Sequence, residues 1–461
     1  MKLDAILRQP EGKTLEFKRD LSSPRPIVRT LVAFANSAGG SLVIGVDDAG
    51  RVAGIADPIE EAERLANIVA DSVEPQLLPE IAVLPWRRTQ VLVAQVAPSA
   101  LRPHYVKSEG AERGTYVRLG PTNRQADAAL VGEMRRRSEQ LAFDEQPIPS
   151  LNYEALDFVV ASQLFAPLRK LRRADLATLG LATKYQGKLV PTVGGVLLFG
   201  VDRLRHFPDA WIQAGCFAGI DKGAPLVDQR ELRGYPVQAL SEAISFVERN
   251  TRHGVEIGRL TRRDLHSVPP VALREALVNA VVHADYAQRG APIRLTVFED
   301  RIEIENPGIL LPGLTIDEMR EGVSRLRNRV IGRAFKELGL IEQWGSGVQR
   351  MTAACIAAGL PEPEFEEIGL RFRTRIRLAA VAPSSVAPAD QDVLAFIDVD
   401  RGRSTAEVAA HLGRTTRSTQ QRLAKLQQAG MVVAVGTGPR DPRRRWHPGP
   451  NAPAGRKPRS A

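Results

Sequence analysis

The sequence predicts a mixed α/β protein built from several domains, and three observations lead to that prediction. The chain has 461 residues, which is too long for one ordinary hydrophobic core. Helical spacings of apolar residues alternate with short apolar runs that are typical of buried strands, such as residues 41–46. Proline-rich stretches at 142–151 and 383–389 interrupt the pattern, and we interpret them as linkers.

Residues 1–145 are predicted to form the first domain. A helix is expected at 27–37 and a strand at 41–46, joined by a tight turn that Gly39 and Gly40 permit. A helix near 60–73 and strands near 91–96 and 114–119 complete this domain. Two arginines close to its end, with neighbouring amide side chains, are candidate contacts to the phosphates or sugars of a nucleic acid. These two residues are Arg118 and Arg124. The alternative is that they lie in a solvated loop.

Three ordered motifs of this domain closely resemble the Schlafen/AlbA-type domain. They are EFK at 16–18, NSAGGSLVIGV at 36–46 and GTYVRLGPTNRQA at 114–126. The resemblance covers nearly the whole first third of the chain, and it implies an α+β nucleic-acid-binding domain of a bacterial regulator.

The same resemblance raises a second possibility, because eukaryotic Schlafen relatives include RNA-cutting enzymes with a carboxylate cluster in this domain. Glu11, Glu16 and Asp48 are the candidates here, since three carboxylates can hold a divalent metal for phosphodiester hydrolysis. The alternatives are an ion pair of Glu16 with Lys18 and an ordinary acidic turn at Asp48.

Residues 150–268 are predicted to be a linker and a supporting α/β segment. Helices are expected at 154–165 and 240–250. The run TVGGVLLFG at 192–200 is similar to the TxGGxLLFG segment of the same bacterial family. The sequence shows no catalytic constellation in this part.

Residues 269–380 contain three motifs that together predict a nucleotide pocket. Glu275 and Asn279 are four residues apart on a predicted helix, so both side chains project from one face. Asn306 and Gly308 follow a predicted strand. A third motif stands at a loop-to-helix junction, where backbone N–H groups can hold phosphates. It consists of Gly345, Ser346 and Gly347.

The spacing Glu275-x-x-x-Asn279 resembles the N-box of the GHKL ATPases, the class of gyrase, chaperone, mismatch-repair and histidine-kinase proteins. This resemblance implies an α/β sandwich in which Asn279 binds the Mg²⁺ of ATP and Glu275 activates water in members that hydrolyse it. Gly345 and Gly347 would supply backbone amides to the phosphates. Where this class has Asp-x-Gly-x-Gly, the chain has Asn306-Pro307-Gly308-Ile309-Leu310, so an uncharged oxygen would accept from the adenine amino group. This form is associated with a divergent, RecG-like branch of ATP-binding regulators.

Four further residues stand near these motifs. Arg327 and Arg329 are candidates for neutralising phosphate, with solvated arginines as the alternative. His283 and Asp285 belong to the family signature HADY, and we expect them to support the pocket by hydrogen bonding.

Residues 390–448 are predicted to form a winged helix that binds DNA. Helices are expected from 393, at 405–412 and at 415–428, with Gly413 in the turn of a helix-turn-helix. A strand at 431–435 leads into a basic wing. A winged helix that binds protein is the alternative, and residues 449–461 are predicted to be a disordered basic tail. The candidate DNA contacts are Arg417, Arg422, Arg440, Arg443, Arg444 and Arg445.

The net charge of +10 is concentrated at one end of the chain. Residues 401–461 hold 13 Lys and Arg residues against two acidic residues, which indicates a polyanionic partner. No apolar run approaches the roughly 18 residues of a membrane span, and residues 1–13 lack the apolar core of a signal peptide. The two cysteines, Cys216 and Cys355, are far apart. We therefore expect a cytoplasmic protein without membrane contact.

These patterns predict an ATP-binding, DNA-binding protein, a transcriptional regulator whose DNA contacts respond to nucleotide. ATP and Mg²⁺ are the expected cofactors, slow hydrolysis is left open, and RNA binding and a homodimer are further expectations. A metal-dependent nuclease or a defence-system ATPase is the alternative. The sequence contains no Gly-x-x-x-x-Gly-Lys-Ser/Thr loop, so it does not predict a helicase motor.

Overall fold

A computed structural model describes most of the chain. The described residues are 3–47, 50–251, 254–257, 262–265, 268–341, 345–378, 388–397, 402–428, 431–435 and 445–448. The chain divides into two compact units, Met1–Ala379 and Ala380–Ala461. The predicted divisions near residues 145 and 268 both lie inside the first unit. No helix of the described residues is long and apolar enough to cross a membrane.

The first unit begins with a four-stranded sheet in the order β1-β2-β5-β4, in which only β1 and β2 are parallel. Ile27, Leu31 and Phe34 on one face of α2 are fully buried, as the predicted amphipathic helix requires. A Cβ on Gly40 would stand 2.7 Å from the Phe34 ring, which explains the glycine at this turn. The elements are α1 (Leu3–Leu7), β1 (Leu15–Lys18), α2 (Pro24–Asn36), β2 (Gly40–Ile44), α3 (Pro58–Ser72), β3 (Val73–Glu74), β4 (Glu80–Trp86) and β5 (Thr89–Val96).

The chain then passes through small hairpins and short helices. Helix α8 contains most of the predicted TVGGVLLFG run, and all of its side chains are buried. A Cβ on Gly195 would stand 1.9 Å from the carbonyl oxygen of Leu181, so this helix packs directly on backbone. The elements are β6 (Tyr105–Val106), α4 (Gly110–Arg113), β7 (Tyr116–Leu119), β8 (Thr122–Gln125), α5 (Ala128–Ser138), α6 (Phe158–Phe165), α7 (Asp175–Thr178), β9 (Ala182–Tyr185), β10 (Lys188–Pro191), α8 (Val193–Phe199) and α9 (Arg203–His206).

A six-stranded sheet in the order β12-β11-β15-β16-β18-β17 forms the rest of the first unit. Strands β11 and β12 precede residue 268, so the predicted division there falls within one continuous sheet. The elements are β11 (Ile212–Phe217), β12 (Leu226–Leu232), α10 (Pro236–Asn250), β13 (Gly254–Ile257), β14 (Arg262–Leu265), α11 (Pro270–His283), β15 (Ile293–Val297), β16 (Arg301–Pro307), α12 (Ile316–Arg320), α13 (Arg329–Glu337), α14 (Gly347–Ala357), β17 (Glu364–Ile368) and β18 (Arg371–Arg377).

Helices α10 and α11 contact this sheet, and α14 contacts α11. Leu273, Leu277 and Val281 of α11, predicted from their helical spacing, are at most 2% exposed and belong to the largest apolar cluster. Arg373 of β18 pairs with Glu305 of β16 at 2.6 Å, one of several ion pairs between these antiparallel strands. The apolar cluster packs α11 against the sheet and thereby fixes the position of the polar side of this helix, which carries Glu275 and Asn279.

The described part of the second unit contains three helices and an antiparallel pair of strands. Its core includes Val408, Leu423 and Trp446, and the Trp446 ring nitrogen donates to Thr405 Oγ1 at 3.0 Å. Several predicted features lie outside the described residues: the linker from 383 to 387, Arg440, Arg443, Arg444 and the tail 449–461. The elements are α15 (Pro388–Phe396), α16 (Thr405–His411), α17 (Thr416–Gln428), β19 (Val432–Val435) and β20 (Arg445–Pro448).

Candidate functional site

The three predicted nucleotide motifs meet around one cavity in the first unit, which together with its opening to solvent holds about 1040 Å³ of empty space. Helix α11, the end of β16 and the start of α14 each contribute to its wall. Ser346 is the N-cap residue of α14. The motif residues that line the cavity are Glu275, Asn279, Asn306, Gly308, Gly345 and Gly347, and the predicted His283 and Arg327 line it as well.

Helix α11 presents Glu275 and Asn279 to the cavity from consecutive turns. Glu275 is 9% exposed, and its Oε2 accepts from Arg350 of α14 at 3.0 Å. A Cβ on Gly347 would stand 2.1 Å from Glu275 Oε1, so glycine lets α14 start here without displacing the Glu275 carboxylate. The start of α14, where the first backbone N–H groups lack intrahelical partners, lines the same cavity as Asn279.

The end of β16 supplies a second polar wall. Asn306 is 5% exposed, and its side-chain nitrogen donates to the carbonyl oxygen of Pro307 at 3.1 Å. Asn306 also lines the cavity, and its amide oxygen is of the kind that can accept a hydrogen bond from a ligand. Gly308 has φ +96°, a conformation that other residues rarely adopt, and a Cβ there would stand 2.5 Å from Arg327 Nη1.

Arg327 is a buried structural residue rather than a phosphate ligand. Its Nε donates to Glu133 Oε1 at 2.7 Å, and its other nitrogens donate to the carbonyl oxygens of His283 and Ile309, both at 2.8 Å. Arg329 bonds Glu145 at 3.2 Å at the surface. The Glu133 contact could not be predicted from local sequence patterns, because 194 residues separate the two partners.

The two HADY residues His283 and Asp285 form hydrogen bonds near the cavity, and the pKa of each side chain is shifted. The backbone N–H of Asp285 donates to Pro307, and its carboxylate accepts from Ala287 and Gln288. Burial raises the pKa of Asp285, and the charge of Glu133 acts in the same direction. Burial lowers the pKa of His283 to about 4, with Arg327 and Arg137 adding to the effect. His283 is therefore neutral near pH 7.

The segment between β16 and α13 closes the cavity on its outer side. It contains α12 and apolar side chains such as Leu310, Leu314 and Met319, which line the cavity. A Cβ on Gly345 would stand 2.3 Å from the carbonyl oxygen of Gly322, so this segment touches the loop before α14. The cavity thus combines an apolar side with a polar end formed by α11 and α14.

The predicted nuclease trio is not assembled among the described residues. Glu16 is 7% exposed and is paired with Arg118 and, at 2.5 Å, with Lys18. Glu11 Oε1 accepts from the backbone N–H of Phe17 at 2.8 Å, and Asp48 lies outside the described residues. In the described part of the chain, no group of three His, Cys, Asp or Glu side chains is arranged to hold a metal ion.

The prediction that Arg118 contacts nucleic acid disagrees with its position. Arg118 is 1% exposed, and besides Glu16 it donates to the carbonyl oxygen of Gly12 and to Asn123. A guanidinium enclosed in this way is not accessible to a phosphate. Arg124 on β8 is exposed, as its predicted role requires.

The second unit exposes Arg417 in the first turn of α17, whereas Arg422 is half-buried. Arg445 at the start of β20 is exposed, but it donates to the carbonyl oxygen of Gly402 at 3.3 Å and lies 3.7 Å from Glu407. Of these three arginines, Arg417 has the position best suited to a nucleic-acid contact.

Comparison with known proteins identifies two regions of the chain. Residues 11–127 match the family described as "Schlafen, AlbA_2", and residues 290–376 match the family described as "Putative ATP-dependent DNA helicase recG C-terminal". The second match includes Asn306, Gly308 and residues 345–347 but starts after α11. These matches confirm the resemblance predicted from the motifs: the chain carries an AlbA_2-type region and an ATPase-like region of the RecG C-terminal type.

Two solved structures are also similar to the chain. The DIP2311 protein from Corynebacterium diphtheriae has 20% sequence identity and a TM-score of 0.42, over 97% of this chain and 96% of that chain. The N-terminal domain of a RecG-related protein from Nitrosomonas europaea has 29% identity and a TM-score of 0.23, over 27% of this chain and 90% of that chain.

Proposed function

We propose that this chain, which carries an AlbA_2-type region and a RecG-type ATPase-like region, binds ATP and uses it to regulate DNA binding. One observation carries the proposal: α11, the end of β16 and the start of α14 bring six residues of three separate motifs to a single cavity. A cavity with one apolar side and a few polar groups suits a nucleotide, whose base is flat and apolar and whose phosphates need N–H donors.

The polar end of the cavity fits a nucleotide that carries Mg²⁺. The Asn279 amide oxygen and the Glu275 carboxylate are hard oxygen donors one turn apart, and phosphate oxygens and waters would complete the coordination that this ion prefers. Mg²⁺ would neutralise phosphate charge. Asn279 would hold the ion and its phosphates, and Glu275 would orient a water molecule. Because one Glu275 oxygen is already bonded to Arg350, we expect hydrolysis to be slow.

Selectivity for adenine is expected to be moderate. The amide oxygen of Asn306 can accept from the adenine amino group, but a neutral acceptor makes a weaker hydrogen bond than a carboxylate. Competition of ATP with GTP and CTP measures this preference.

A titration with a fluorescent ATP analogue in the presence of Mg²⁺ tests the nucleotide site. Asn279→Ala is expected to lose at least about tenfold in affinity, as for the loss of a bond to a charged group. Gln163→Ala removes an exposed amide from α6 and serves as the control. Equal binding by the wild type and Asn279→Ala, or no binding by the wild type, would refute the proposal.

DNA binding is assigned to the second unit. Helices α16 and α17 are joined by a turn in which Gly413 has φ +60°, and the strands β19 and β20 follow, which is the order of elements in a winged helix. Arg417 stands at the start of α17, where the second helix of such a motif enters the major groove. The support for a DNA partner is this order together with the net positive charge of residues 401–461.

Regulation requires that nucleotide and DNA change each other's affinity. We expect the affinity for duplex DNA, measured by fluorescence anisotropy, to change by some factor when ATP and Mg²⁺ are added. The affinity for ATP must then change by the same factor when DNA is added. A wild-type protein that binds both ligands without mutual effect would contradict regulation while leaving both binding sites intact.

A further inference from the structure

Residues 166–190 carry a concentration of positive charge within the first unit. They hold six Lys and Arg residues against one acidic residue, Asp175, which is a net charge of +5. The other residues of 1–379 hold 44 Lys and Arg residues against 46 acidic residues, a net charge of −2. Positive charge that is confined to one segment of an otherwise balanced unit indicates a polyanionic partner at that segment.

The hairpin of β9 and β10 presents two lysines and a tyrosine at its tip. The chain turns at Gln186 and Gly187, whose φ angles of +47° and +81° are those of a tight two-residue turn. Lys188 stands opposite Tyr185 in the antiparallel register, so these two side chains lie on the same face of the hairpin. Tyr185 is 40% exposed, and Lys184 and Lys188 are exposed as well. The tip therefore offers positive charge and an aromatic ring side by side.

The loop before α7 adds three exposed cations next to this hairpin. The Arg173 guanidinium carbon lies 5.8 Å from the centre of the Tyr153 ring, and the short turn Tyr153–Ala155 contacts β10. Helix α7, which follows the loop, contacts β9. The loop and the hairpin are thus neighbours, and we call their exposed cations the basic surface. It consists of Lys170, Arg172, Arg173, Lys184 and Lys188.

Within the described part of the chain, the cations of the basic surface form no ion pair. Asp175, the acidic residue of this segment, lies 2.9 Å from Arg169 and accepts from the backbone N–H of Arg172 at 2.6 Å, so it does not neutralise them. By contrast, the arginines of β18 are paired with carboxylates of β16 and β17. The basic surface is therefore available to an external anion.

We propose that the basic surface binds the phosphate backbone of a nucleic acid. Lys and Arg side chains contact phosphates, and an exposed tyrosine beside them can stack on a base, which favours a nucleic acid over an acidic protein. Helix α6, helix α7 and the hairpin also follow one another in the order of a winged helix. The inference adds a nucleic-acid contact in the first unit to the DNA binding assigned to the second unit, and it rests on separate residues.

Anisotropy titrations of the full chain with a DNA duplex and with one of its single strands, each at several salt concentrations, test this inference. Replacing both Lys184 and Lys188 by Gln should reduce the slope of log affinity against log salt concentration by about 0.9 per lost contact for the duplex and about 0.7 for the single strand. The nucleic acid that shows this reduction is the one that the basic surface binds. Replacing both Arg233 and Arg249 by Gln removes the same charge from two exposed arginines that are paired with Glu231 and Asp228, and this control should keep the wild-type slope.

The outcomes separate this inference from the DNA binding proposed for the second unit. Both lysines are exposed, so their replacement should leave the midpoint of thermal unfolding unchanged, and a lost contact is then not a folding defect. A wild-type slope in the double lysine variant with both nucleic acids would overturn the inference and leave the second unit as the binding site. An equal reduction in the arginine control would show an effect of net charge alone and would overturn it as well. If the wild type bound neither nucleic acid, both proposals would fall.

Discussion

Arg327 and Glu133 form a buried ion pair that joins helix α5, which follows the AlbA_2-type region, to the ATPase-like region. The Nε–Oε1 distance is 2.7 Å and the Nη2–Oε2 distance is 3.2 Å, and both residues are less than 8% exposed. Glu133 lies on α5, whereas Arg327 lies just before α13 and supports the turn at Gly308. Because the two groups satisfy each other away from water, the pair holds α5 beside the turn at Gly308.

Removing one partner of this pair should destabilise the first unit. Arg327→Met leaves Glu133 as an uncompensated buried charge, and we expect the free energy of unfolding to fall by about 3–5 kcal/mol. The double replacement Arg327→Met with Glu133→Met removes the unpaired buried charge and should recover part of this loss. The recovery is incomplete because the carbonyl oxygens of His283 and Ile309 still lack the donor that Arg327 supplied.

Urea unfolding followed by tryptophan fluorescence measures this effect, since Trp86 and Trp211 report on the first unit. Arg88→Met, which removes an exposed arginine, is the control and should change the free energy by no more than about 0.5 kcal/mol. Equal destabilisation by the single and the double replacement would show that the ion pair is not the stabilising element.

Gly347→Ala should weaken nucleotide binding, because the added methyl group crowds the contact between α11 and the start of α14. The added methyl group would stand 2.1 Å from Glu275 Oε1, so the carboxylate or the start of α14 must move. We expect the affinity for the ATP analogue to fall at least about tenfold, the loss expected for one charge-assisted contact. The measurement is the same fluorescence titration used for Asn279→Ala.

Gly132→Ala is the matched control for this replacement. Gly132 lies inside α5, where an added methyl group meets only the end of the Arg136 side chain at 3.2 Å. Alanine favours a helix over glycine by about 1 kcal/mol, so this variant should be as stable as the wild type or more stable, with unchanged binding. Normal ATP binding by Gly347→Ala would refute the close approach of the two helices as a requirement of the site.

Sequence patterns predicted the cavity well because its motifs are local. Helical spacing placed Glu275 and Asn279 on one face, and the glycines marked the close approach at the start of α14. Long-range pairing is different: Arg118 was predicted to contact nucleic acid, yet its partner Glu16 is 102 residues away in the chain. No local pattern reveals such a partner, and an arginine beside a turn is otherwise typical of a surface.

The stretch 142–151 is a second case in which a contact distant in the sequence could not be predicted. Its prolines predicted a linker, but Asp144 is fully buried. The Asp144 carboxylate accepts from the backbone N–H groups of Arg329, Val330 and Ile331 at 2.9, 2.6 and 3.0 Å. It therefore satisfies donors at the start of α13, which intrahelical bonds leave open. A carboxylate that caps a helix about 185 residues later in the chain cannot be recognised from spacing alone.

His283 should make the first unit less stable as the pH falls below about 6.5. The ordinary pKa is 6.5 and the folded protein lowers it to about 4, so the unfolded chain takes up a proton in this range before the folded protein does. Stability is fully present above pH 6.5 and is lost progressively towards pH 4. The difference between the two pKa values corresponds to about 3 kcal/mol.

Unfolding free energies of the wild type and His283→Gln, measured in urea from pH 7.5 to 4.5, check this prediction. Other titrating groups act on both proteins, so the difference between the two curves isolates His283. The variant should lose less stability than the wild type on acidification. Two parallel curves would mean that His283 titrates normally in the folded protein.

Arg417 should contribute one phosphate contact to DNA binding by the second unit. Each neutralised phosphate adds about 0.9 to the slope of log affinity against log salt concentration, because counterions are released from the duplex. Arg417→Gln is therefore expected to reduce that slope by about 0.9 for any duplex sequence, if the contact is to a phosphate. A loss of affinity restricted to one duplex sequence, with an unchanged slope, would instead indicate a contact to a base edge.

Arg445→Gln is the comparison variant, because the Arg445 guanidinium donates to the carbonyl oxygen of Gly402 within the unit. Its replacement should therefore change the slope less. Anisotropy titrations between about 50 and 200 mM salt supply the slopes. If both variants kept the wild-type slope, α17 would not be the helix that faces the phosphates.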